Sequence, residues 1–124
     1  MDLRSNHSRL TTLQAKDNEQ VWQECHTENI VRRIPGLDPL VGRDACRKQV
    51  QDFLDGLKGP QKMAQLALAF DDENNVTVVE YDQSFSHKKY GDIAQRLVMV
   101  QRWLDDQIYD ETIYVMPQTR ELAS

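Results

Sequence analysis

Residues 98–116 read "VMVQRWLDDQIYDETIYVM". Two runs rich in β-branched and aromatic residues flank an acidic dipeptide, Asp105-Asp106. Such runs joined by a short polar tip predict a β-hairpin. The pattern extends backwards from there. The first run belongs to "IAQRLVMVQRWL" (93–104), which follows the polar tip "HKKYGD" (87–92). Before that come "VTVVEYDQSFS" (76–86), the turn-rich "DDENN" (71–75) and "QKMAQLALAF" (61–70). Four strands in a row with tight polar connections predict an antiparallel meander.

Upstream of Pro60 the period changes. Cys46, Val50, Phe53, Leu54 and Leu57 recur every three or four residues, with Arg47, Lys48, Gln51, Asp52 and Asp55 between them. This is an amphipathic helix starting at Arg43 and stopped by Gly56, Gly59 and Pro60. Asp17 followed by Gln20 predicts another helix start, with Val21, Trp22 and Cys25 on one face. "NIVRRI" (29–34) reads as a short strand ended by Pro35, and residues 5–15 as a short helix with Leu10 and Leu13 inward. A sheet with one apolar face needs a cover, so the expected class is α+β: N-terminal helices packed in the concave face of a strongly curved antiparallel sheet.

The chain has 124 residues, which fits a single domain over 1–124 with 118–124 as a tail. No apolar run is long enough to span a bilayer, and the first residues lack the apolar core of a secretory signal. The two cysteines, Cys25 and Cys46, have no CxxC spacing and read as reduced thiols of a cytoplasmic protein. A net charge of −5 argues against a nucleic-acid binder. No His or Cys spacing suggests a metal site, and no cofactor motif is present.

Three stretches carry a likeness to a known family: "AKDNEQVWQECHTENIVRRIPG" (15–36), "PLVGRDACRKQVQDFL" (39–54) and the 98–116 hairpin. In this order and spacing the chain resembles the nuclear-transport-factor-2-like superfamily, the cystatin-like cone fold. Within it, the chain is similar to the SnoaL-like polyketide cyclases and ketosteroid isomerase relatives. The likeness covers about residues 15–117. It implies a helix-lined cone of sheet and pairing of two copies through the outer sheet face, with Val78, Val100, Arg102 or their neighbours in contact. Function does not follow from it, because this fold hosts isomerases, hydrolases, cyclases and non-catalytic adaptors alike.

The resemblance also says where catalytic groups belong. The isomerase-like relatives carry a general-base Asp just before the proline that closes the first strand; here that residue is Ile34. Their second Asp, on the third long strand, falls on Met99. The epoxide-hydrolase-like relatives use Arg-x-Asp on the middle strand and an Asp on the last. The matching residues here are Glu80-Tyr81-Asp82 and, approximately, Glu111. Steroid-isomerase chemistry is thereby disfavoured, and the weak candidates for proton transfer are Glu111, Asp82 and Tyr81. A Glu111 truly buried would be the best acid/base candidate.

Among the histidines, His26 is expected at a helix C-terminus where the dipole favours its charged form, His87 on a solvated basic tip, and His7 in a frayed terminus. Arg32 and Arg33 alternate across a strand, so at most one faces inward. One strand parity groups Leu97, Met99, Gln101 and Trp103 with Glu111, Ile113 and Val115. With Trp22 and Phe53 from the helices these form the candidate ligand pocket. Whether that set lines a pocket or fills a core stays open, as does the parity itself, which one bulge reverses. The expected function is binding of a small apolar molecule in the cone by a homodimer. The alternative is a cyclase-, isomerase- or hydratase-type enzyme using a carboxylate in the cone.

Overall fold

Asp17 starts the helical half as its side chain predicts, accepting hydrogen bonds from the backbone N–H groups of Glu19 and Gln20 at 3.0 and 3.3 Å. In the computed structural model, which describes residues 2–117, this helix is α2 (Asn18–Cys25). It follows α1 (Leu3–Gln14), capped by Asp2, and runs directly into β1 (His26–Arg33). A short β2 (Leu40–Val41) and α3 (Arg43–Asp55) come next, then the meander: β3 (Lys62–Asp71), β4 (Val76–His87), β5 (Gly91–Leu104) and β6 (Gln107–Pro117).

The six strands form one sheet in the order β2-β1-β6-β5-β4-β3. The predicted meander is there, but the sheet is larger than four strands. β1 adds to it in parallel beside β6, and β2 pairs with β1. β1 also begins at His26, earlier than the run at Asn29 suggested. The helix–strand junction is abrupt because His26 already has extended backbone at φ −128° and ψ 140°.

All three helices lie on one face of the sheet. Their buried side chains, Leu3, Leu10, Val21, Trp22, Cys25 and Cys46, share a core with Ile30, Trp103 and Ile108. A bulge decides what the last strand shows to that core. The β5–β6 register shifts between the pairs Arg102–Asp110 and Trp103–Ile108, which leaves Tyr109 as the extra residue. Ile108 and Glu111 therefore both point inward although they differ in parity, while Tyr109 is exposed.

Candidate functional site

Cross-strand register places Thr77, Gln101 and Glu111 in one row over β4, β5 and β6, and Glu111 opposite Arg32 on β1. All four face the helices. The row is wired in one direction. The Trp103 indole N–H donates to Thr77 Oγ1 at 3.0 Å, and the Thr77 hydroxyl donates to Gln101 Oε1 at 3.0 Å. Gln101 Nε2 then donates to Glu111 Oε2 at 2.8 Å. An indole can only donate, so it fixes the hydroxyl, which fixes the amide, and the chain ends on an acceptor. The carboxylate of Glu111 is that acceptor. Its second oxygen lies 3.3 Å from Arg32 Nε in an ion pair whose side chains are 4% and 13% exposed. The N–H is not aligned for a hydrogen bond, so the contact is a pairing of charges.

This pair changes the meaning of Glu111. The carboxyl is buried, as the acid/base reading required, but it is not isolated. Sequence reasoning missed the partner. The available signal was parity: Arg32 stands in the same alternation as Ile30, which is wholly buried. Arg33 points the other way and pairs with Asp110.

The remaining candidates separate by face. Tyr81 is on the inner face, half-buried, and its phenol is pushed above its ordinary value by burial, with a further contribution from the charge of Glu111. Asp82 faces outward and pairs with Arg96 at 3.1 Å. It shares no site with Glu111.

The eight pocket residues all face inward, but to different depths. Trp22, Leu97, Gln101, Trp103 and Ile113 are buried. Phe53 and Met99 are half-buried, and Val115 is exposed. Val115 also borders an open apolar groove of about 440 Å³ where β1 leaves β6, whose other strand residues, Val98, Tyr114 and Met116, belong to the outer face, with Ile34 and Pro35 beside them. Ile34 and Pro35 thus form an apolar rim.

The histidines depart from expectation. His26 is buried and stacked on Trp22 at 4.1 Å, and burial pushes its pKa down, opposed by the charge of Glu111. Desolvation outweighs both the Glu111 charge and the contact with the Val21 carbonyl there. His7 sits in ordered α1, buried edge-on against Phe70, with its pKa also lowered by burial. His87 is buried too: its ring stacks on Phe53, its Nδ1 accepts from the Lys89 N–H, and its Nε2 lies 3.0 Å from the Phe53 carbonyl. With Nδ1 accepting, Nε2 carries the proton and donates. Cys25 and Cys46 are buried and unpaired, and burial raises both thiols. Among the described residues no cluster of His, Cys, Asp and Glu fits a metal ion.

Solved structures share this arrangement of strands and helices. A provisionally assigned SnoaL-like polyketide cyclase from Jannaschia sp. CCS1 superposes with a TM-score of 0.74 at 9% identity, over 90% of this chain and 85% of that one. An NTF2-like protein of unknown function from Cytophaga hutchinsonii gives 0.67 at 16% identity, over 90% and 97%. The chain has the NTF2-like, SnoaL-like fold. An LEH-like epoxide hydrolase from M. tuberculosis shares it as well, with a TM-score of 0.69 at 13% identity over 91% and 80% of the two chains. No family model and no curated protein matches the sequence. Identities this low transfer the NTF2-like fold and leave the activity to be argued from the site.

Proposed function

We propose that this protein binds a small apolar molecule inside the NTF2-like cone and works as a cytoplasmic homodimer, without the ketosteroid-isomerase catalytic set. The observation that carries this reading is the inner face itself. By the resemblance, the isomerase carboxylates would fall on Ile34 and Met99, and Glu111 is already engaged by Arg32 and Gln101. The apolar inner-face side chains Leu97, Met99, Ile113 and Phe53 would suit a hydrocarbon body, and a few fixed polar groups its orientation.

The outer sheet face supports the dimer. Val78, Val98, Val100 and Tyr114 fall in adjacent rows on the side away from the helices. An antiparallel sheet that faced only water would alternate with polar residues there. Glu80, Asp82, Arg96 and Arg102 sit on the same face, so both signs of charge are available to a second copy turned by a two-fold axis. Two buried unpaired thiols suit a reducing compartment.

A second reading, an enzyme of the cyclase, isomerase or hydratase type, is favoured by one observation: Glu111 and Tyr81 are inner-face groups close enough for the charge of one to act on the other. Native mass spectrometry of protein purified from its own host tests the main reading. A dimer carrying a retained small molecule is expected; a bare monomer at ten micromolar overturns it.

A further inference from the structure

β3 ends the sheet on one side, and among the described residues nothing pairs with its outer edge. Every second backbone N–H and C=O along it points away from β4 without a partner strand. No proline interrupts it. All of its residues except Leu68 and Phe70 are exposed, among them Met63 at 42% and Leu66 at 45%. A long, apolar, unpaired edge of this kind is a template for another strand.

The strand is complementary to itself. It begins with Lys62 and ends with Asp71, both exposed. Asn74 holds the Asp71 carboxylate in place, donating from its backbone at 3.2 Å and from its side chain at 2.9 Å. A second copy, turned by a two-fold axis normal to the sheet, lays its β3 antiparallel on the first. The register that sets Lys62 opposite the second copy's Asp71 does so at both ends and leaves no residue of β3 unpaired. It also sets Met63 opposite Phe70, Ala64 opposite Ala69, Gln65 opposite Leu68 and Leu66 opposite Ala67. The two exposed Leu66 side chains then stand on either side of the axis.

A bulge favours a copy over a foreign strand. Gln65 pairs with Tyr81 and Ala67 with Glu80, so Leu66 is an extra residue that reverses the alternation. Before it, Met63 and Gln65 share the inner face with Gln83 and Tyr81. After it, Leu68 and Phe70 share that face with Val79 and Thr77. A regular strand would lose a ladder step at Leu66, as β4 does. A second β3 brings its own extra residue to the same point. Every other pair of that register then joins side chains of one face, whereas a slip of one residue sets inner side chains against outer ones. We infer that β3 is a second self-association surface, through which two copies join their sheets edge to edge, with Lys62–Asp71 pairs at the ends and Leu66 at the axis. This goes beyond the proposed function: the outer sheet face stays free, so edge pairing joins two face-paired dimers. One strand pair is a small interface, so the association belongs to concentrations of roughly hundreds of micromolar.

Amide spectra of the ¹⁵N-labelled protein read the edge directly when recorded from about ten to about five hundred micromolar, the range of a weak contact. The β3 amides should shift with concentration, and sedimentation velocity should show the larger species. L66K puts two cations beside the axis on a side chain already exposed to water, so it leaves the fold intact and should abolish the shifts. K62E and D71K each set like charges opposite one another at both ends and should weaken association about tenfold. An equimolar mixture of K62E and D71K restores opposite charges at both ends and should regain the affinity of the unaltered protein. β3 amides that ignore concentration, or respond equally in L66K, overturn the inference. A mixture that associates no better than its components overturns the charge-paired register on which the inference stands. Shifts confined to Val78, Val98 and Val100 overturn the edge and assign the association to the outer face. β3 amides that ignore concentration but move with an alternating Val–Lys peptide overturn pairing between copies and assign the edge to an extended peptide.

Discussion

Replacing Glu111 by leucine should be among the most damaging single changes in this protein, and replacing Arg32 along with it should undo most of the harm. Leucine matches the volume of glutamate but leaves the Arg32 guanidinium, 13% exposed, without its counter-charge. It also removes the acceptor of Gln101 Nε2. Stranding one partner of a buried pair costs about 3–5 kcal/mol. A chain of this size has about 5–15 kcal/mol in total, so E111L should lose a large fraction of its stability. Arg32→Met should cost a similar amount for the converse reason. In R32M/E111L no charge is stranded, and hydrophobic replacement of a buried pair is often neutral. The cycle should therefore show a coupling of about 6 kcal/mol or more, far above the range for unrelated sites. Urea unfolding followed by far-ultraviolet circular dichroism and by tryptophan fluorescence gives all four stabilities. Single variants that each cost under about 1 kcal/mol, or a double variant equal to the sum of the singles, would refute the view that these two groups form one buried unit.

Other outcomes follow from particular contacts. A Cβ on Gly56 would lie 2.2 Å from the His87 ring, which stacking on Phe53 holds in place, so Gly56→Ala should destabilise by about 1–3 kcal/mol in thermal unfolding. His7 and His26 have lowered folded pKa values, so the unfolded chain takes up more protons than the native one below the ordinary histidine value of about 6.5. Stability should be fully present above that pH and fall as the pH drops through it, by up to about 1.4 kcal/mol per pH unit for each histidine, until the folded value is reached. Urea midpoints from pH 7.5 to 5 measure this, and His26→Gln should flatten the slope. Tyr114→Lys, on the outer face and 47% exposed, should shift sedimentation velocity from dimer to monomer without altering the circular dichroism.

The sheet was readable because its information is local. Alternation in 93–104 and 107–116, with the Asp105-Asp106 tip between them, sets the hairpin without knowledge of any distant residue. α3 was readable from its period for the same reason. What escaped was set by long-range pairing. β1 joins β6 in parallel across most of the chain, and only that register brings Arg32 against Glu111. The bulge at Tyr109 has no mark in the sequence, yet it turns Ile108 and Glu111 to the same side. His87 was misjudged because Lys88 and Lys89 follow it. The alternation of β4 runs on to the histidine, so it shares the inner face with Phe85 before the chain turns out to solvent. The place of Ile34 and Pro35 beside an open groove on β6 appears only in three dimensions.

The central claim is that the inner face of the cone, and not the outer face of the sheet, receives a small apolar molecule. Methyl-resolved nuclear magnetic resonance separates the two, because Leu97, Met99 and Ile113 face inward while Val78, Val98 and Val100 face outward on the same strands. Titration with acetophenone should move the first three sets of methyl signals saturably and leave the valines unchanged. Movement confined to the valines, or no saturable movement of the inner methyls, would contradict the account.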